Sequence, residues 1–147
     1  MRALLLRPHD FIVEDMKAWL SSSLGLTPVR LRSLAELSSL SPDGVKCTVT
    51  SLAVTSEVKA TVREAITASR IFAPQAPLLL AGLSTIDKAR PGFELELKGL
   101  GLDVRAATDA TAAWGAPNTV LYVQAGDLKG PGQAALTAAA KAHLKLG

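Results

Sequence analysis

The chain has 147 residues, of which 48% are apolar and only 4% aromatic, and it carries a formal net charge of +3 with a single cysteine, Cys47. One domain with a substantial core fits that length, and a lone cysteine excludes an intramolecular disulfide or a Cys-rich metal site. The pI is about 9.2, but the basic residues are interspersed with thirteen acidic ones, so no basic stripe with interleaved aromatics marks a nucleic-acid interface. The apolar stretch from Ala76 to Leu83 is well short of the roughly 18 residues of a spanning helix. Too few apolar residues separate Arg2 from Arg7-Pro8 for a signal-peptide core. The expectation is a cytoplasmic protein without membrane insertion.

Ala3-Leu4-Leu5-Leu6 is an unbroken apolar run that ends in Arg7-Pro8-His9-Asp10. A run of this kind, followed by a helical pattern, predicts a strand buried on both faces. Asp10 is placed to cap a helix whose apolar face is Ile12, Met16, Trp19, Leu20 and Leu24, with Gly25 as its stop. Val29-Arg30-Leu31-Arg32 alternates strictly, which favours a sheet edge. Ala35 to Leu40 is at most a short helix, and Ser41-Pro42-Asp43-Gly44 is a turn.

Val45 to Val54 is the third predicted strand, and a helix with Val58, Val62, Ala65 and Ile66 inside runs from Thr55 or Ser56 to Pro74. Pro77 to Ala81 repeats the all-apolar theme and predicts a second central strand. Phe93 to Lys98 fits a period of two as well as a helix through Phe93, Leu97 and Leu100, and the expectation is the helix, with Pro91 in its first turn. Leu102 to Ala106 and Thr119 to Val123 read as strands, with a short helix from Asp109 to Trp114 between them. A glycine-rich loop, Gly126 to Gly132, leads into a closing helix from Gln133 to Leu146, with Leu136, Ala140 and Leu144 facing inward and His143 facing solvent.

Strands alternating with helices demand a mainly parallel sheet covered on both faces. The expected fold is therefore a single α/β domain over residues 1–147, a three-layer α/β/α sandwich with five or six strands. Two orders compete: the receiver or flavodoxin-like 2-1-3-4-5, and a Rossmann-like 3-2-1-4-5-6. The second would accompany an internal βαβαβα duplication, halves 1–74 and 75–147, at an offset of about 75 residues. Burying Arg30 and Arg32 in an inner strand is costly, which favours the first.

In such sheets ligands gather beyond the carboxyl ends of the strands. The candidate ligand- or partner-binding residues delivered there are Arg7, His9, Asp10, Ser84, Asp127 and Lys129. The turn after the first strand has no glycine and does contain a carboxylate, against a dinucleotide fingerprint. The GDLKGPG loop lacks Walker spacing. Cys47 reads as a buried structural thiol, and two histidines far apart form no recognisable metal site. No cofactor is expected.

From Met1 to about Ser84, and again from Thr119 onward, this order of a hydrophobic strand, an amphipathic helix, a strand near residue 50, a Pro-Leu-Leu-Leu strand and a last strand and helix resembles the receiver domains of two-component signalling. The resemblance implies an acidic, Mg²⁺-holding pair at Arg7-Pro8 or Pro8-His9. It implies a phospho-accepting Asp at Thr50 or Ser51, a hydroxyl at Gly82 and a lysine at Gln124. None of these residues matches, and Asp10 falls one position late. Leu100 to Pro117 has no counterpart in a receiver. The implied function is that of a degenerate receiver (a pseudo-receiver): a non-catalytic signalling module that docks on another protein or on a second copy of itself as a homodimer. The alternative is a small enzyme or nucleotide-binding protein using the same strand-end residues.

Overall fold

The computed structural model describes residues 1–6, 10–52, 56–82, 98–106 and 119–146. Six strands are present among them: β1 (Arg2–Leu6), β2 (Thr27–Leu31), β3 (Val45–Leu52), β4 (Leu78–Gly82), β5 (Asp103–Ala106) and β6 (Thr119–Gln124). Three α-helices, α1 (Asp10–Ser22), α2 (Ser56–Phe72) and α3 (Gln133–Leu144), accompany 3₁₀ turns at Leu34–Ser39 and Ala125–Leu128. The sheet order is β2-β1-β3-β4-β6-β5, and every pair is parallel. No helix among the described residues is long and apolar enough to cross a membrane.

The chain moves one way along the sheet from β1 to β2 and the other way from β3 to β4. Right-handed crossovers therefore put α1 and α2 on opposite faces. One core layer joins Ala3 and Leu5 of β1, Leu79 and Ala81 of β4, and Leu121 and Val123 of β6 to the inner faces of α1 and α3. The other joins Leu4 and Leu6 to Leu31 and to Ala65 of α2. Leu4 to Leu6 and Leu78 to Leu80 are at most 1% exposed, and one strand, β3, separates β1 from β4. Their lack of alternation is thus the signature of cover on both faces.

The receiver-like order is present in β2-β1-β3-β4-β6, and β5 is added outside β6. The segment without a receiver counterpart contributes that sixth strand. Among the described residues β2 pairs with β1 alone, at the edge that its alternating arginines favoured. Pro28 lies in this strand, where a missing N–H does least harm and discourages further pairing. The two halves of the chain do not repeat one topology. The first strand is central in the order β2-β1-β3, whereas in β4-β6-β5 the last strand is central.

Local signals hold where they are strongest. Ile12, Met16, Trp19, Leu20 and Leu24 are all buried, and Gly25 has φ 68°, the left-handed conformation that glycine tolerates. The turn after Leu40 is closed by Arg2, whose guanidinium donates to the carbonyls of Ser41 at 2.8 Å and Asp43 at 2.7 Å. Of the stretch from Phe93 to Leu100, the described Lys98 and Gly99 are helical. Residues 93–97, and the helix expected at Asp109 to Trp114, lie outside the described residues.

His143 corrects the expectation of a solvent-facing side chain: it is fully buried on α3. Burial holds its pKa below the usual 6.5, partly opposed by a hydrogen bond with the backbone of Leu78. A neutral, buried imidazole must gain a proton when the chain unfolds in acid. The unfolded state then binds more protons, so stability is complete above about pH 6.5 and is lost as pH falls toward the folded-state pKa. The urea midpoint is expected to fall between pH 7.5 and 5 in the wild type and to fall less in His143→Gln. Equal slopes would mean that His143 does not carry the acid sensitivity.

Candidate functional site

Strand order reverses between β1 and β3, so the crevice for a ligand opens above their carboxyl ends. Asp10, at the start of α1, stands on this edge. The registers bring Leu52, Gly82 and Gln124 to one level across β3, β4 and β6. Ser51 and Thr50 lie one and two residues below that rim. Arg7, His9 and Ser84 lie outside the described residues.

The three described candidates are engaged separately. Asp10 Oδ1 accepts from the Arg30 guanidinium at 2.6 Å, joining α1 to the edge strand. The Asp10 side chain is 92% exposed, so solvent screening limits this pair to under about 1 kcal/mol. Arg30 is the more enclosed partner, and its Nε is buried without a hydrogen-bond partner among the described residues. Lys129 Nζ lies 2.8 Å from Asp15 Oδ1 on α1. That ion pair lies at a shallow groove of about 390 Å³ between α1 and the start of α3, also lined by Trp19, Leu128 and Gln133. Arg30 and Asp15 complete these pairs and were not among the expected site residues. Alternation had placed Arg30 on an edge, but nothing local identified its acid.

Asp127 is turned toward the glycine-rich loop. Its Oδ1 lies 3.0 Å from where a Cβ on Gly132 would be, just before the first turn of α3. The loop is closed further by Gln133, whose Nε2 donates to the Leu128 carbonyl at 2.5 Å and whose backbone N–H donates to that of Gly130 at 3.1 Å. A phosphate cradle needs free amides at a positive helix end. Here a carboxylate already stands beside that end and would repel a second anion.

The positions matching the receiver's phosphoacceptor are hydroxyls inside the core. Thr50 and Ser51 are each 1% exposed. Thr50 Oγ1 has no hydrogen-bond partner among the described residues. Two residues earlier on the same face, Thr48 Oγ1 and Ser69 Oγ on α2 share a hydrogen bond of 2.5 Å. Cys47 is fully buried, and burial pushes its thiol pKa up to about 12, which leaves an inert structural thiol. Among the described residues no group of three or more His, Cys, Asp or Glu is placed to hold a metal ion. No protein-family model matches the chain, and neither does any curated protein.

Proposed function

We propose that the chain is a non-catalytic signalling or interaction module, a degenerate relative of receiver domains that binds another protein or a second copy of itself. The burial of Thr50 and Ser51 at 1% exposure is the observation that carries this reading. An acyl-phosphate needs a reachable carboxylate and a metal to offset the incoming charge. The aligned acceptor positions supply buried hydroxyls instead, and Arg7, Pro8 and His9 stand in the sequence where the metal-binding acids would be. The carboxylate beside the start of α3 argues against the nucleotide-binding alternative. In this reading the module works in the cytoplasm, where the lone thiol of Cys47 remains reduced. Partner contact is assigned to Asp10, Asp127 and Lys129 among the described residues, and to Arg7, His9 and Ser84, which follow β1 and β4 in the sequence.

Incubation with acetyl phosphate and Mg²⁺ is expected to leave the intact mass unchanged. Millimolar Mg²⁺ is expected to raise Tm no more than an equivalent ionic strength of NaCl, because only a bound ion stabilises by mass action. A stoichiometric gain of one phosphate, lost on treatment with hydroxylamine, overturns the proposal and returns Asp10 to consideration as a metal ligand.

A further inference from the structure

The amino-terminal ends of the strands, opposite the rim, carry a separate feature. A cavity of about 620 Å³ opens where the starts of β3 and β4 meet the ends of α2 and α3. Phe72, Pro74, Pro77 and Leu144 supply apolar walls, Lys46 and Lys145 supply the charge, and none of the described residues that line it is acidic. The volume lies within the range of small-molecule sites, and prolines stiffen such a wall before any ligand arrives.

Both lysines reach the cavity through departures from regular backbone. Arg2 pairs with Val45 and Ala3 with Cys47, which leaves Lys46 as the extra residue of a β-bulge, a device that re-aims a side chain. Lys145 caps α3 at φ 56° and ψ 39°, and it is the one non-glycine residue with positive φ among those described. The Leu146 N–H donates back to the Lys141 carbonyl at 2.9 Å, a helix stop that usually takes glycine at this position. Neither ammonium has an acidic partner among the described residues. The ends of α2 and α3 each contribute roughly half a negative charge. Two full positive charges outweigh them, leaving the cavity at about +1 by the same count.

We propose that this cavity binds an amphipathic organic anion, its apolar body against Phe72, Leu144 and the prolines and its carboxylate on Lys46 and Lys145. The site lies apart from the carboxyl-end rim and does not depend on the signalling reading.

Titration calorimetry with octanoate tests it, using the full chain and the variants Lys145→Gly, Lys46→Glu and Lys17→Glu. Glycine suits the left-handed cap, so Lys145→Gly is expected to raise the ligand-free Tm while losing the anion contact. The expected result is one-to-one binding to the wild type, weakened by about tenfold or more in Lys145→Gly and Lys46→Glu, and unchanged in Lys17→Glu on α1. Three results overturn the proposal: no binding to the wild type at millimolar octanoate, equal weakening in Lys17→Glu, or octanol bound as tightly as octanoate.

Discussion

Trp19→Ala is expected to destabilise the fold by about 3–5 kcal/mol, the range for removing a large buried aromatic side chain. Trp19 is 1% exposed and lies in the layer where α1, α3 and the sheet meet. Its Nε1 also donates to Thr137 Oγ1 at 3.0 Å, across 118 residues of sequence. The substitution therefore opens a cavity and unties the first helix from the last. Trp19→Phe retains most of the apolar contact and loses the hydrogen bond, so about 1 kcal/mol is expected. Urea denaturation of the three proteins measures both. A loss below about 1 kcal/mol for the alanine variant would contradict the packing of α1 on α3. Natural domains hold only about 5–15 kcal/mol in total, so the alanine variant should sit near the limit of folding.

Thr48→Val and Thr50→Val are expected to differ in outcome although both remove a buried hydroxyl from the same face of β3. Thr48 shares its hydrogen bond with Ser69, itself 1% exposed. Valine at 48 leaves the serine hydroxyl without that partner inside the core, at an expected cost of about 1–3 kcal/mol. Thr50 Oγ1 is buried with no partner among the described residues. Valine there has the same shape and removes an unsatisfied polar atom, so the change is expected to be neutral or stabilising. Chemical denaturation at neutral pH decides the matter. Equal losses at the two positions would show that Thr50 has a partner and that its hydroxyl belongs to a network.

The layered fold was legible in the sequence because it follows from which residues must leave water. Leu4 to Leu6 and Leu78 to Leu80 are apolar at successive positions, and a strand with no polar face requires cover on both sides. The face of α1 followed from its 3.6-residue period, the end of that helix from Gly25, and the edge position of β2 from the alternation of Arg30 and Arg32. Each of these depends on interactions within a few residues of chain.

His143 shows where residue type misleads. Leu136, Ala140 and His143 follow the spacing of an inner helical stripe, but an ionisable side chain between Lys141 and Lys145 suggests solvent. Burial becomes tolerable only because the ring stays neutral and reaches the backbone of Leu78, a contact that exists once α3 docks against the sheet. The candidate rim was legible in part: the topology rule named the edge, but not which acid meets which base there.

The alternation of strands and helices, the two-sided burial of β1 and β4 and the edge position of β2 could thus be read from the residues themselves. These are local consequences of periodicity, glycine and apolar runs. Packing in three dimensions settled that β5 lies outside β6, that Asp10 meets Arg30 and Asp15 meets Lys129, and that among the described residues Thr48 is satisfied while Thr50 is not. Asp15 and Lys129 are 114 residues apart in sequence, and no local propensity encodes such a pair. The choice is made when helices settle on a sheet and every buried polar atom either finds a partner or remains without one.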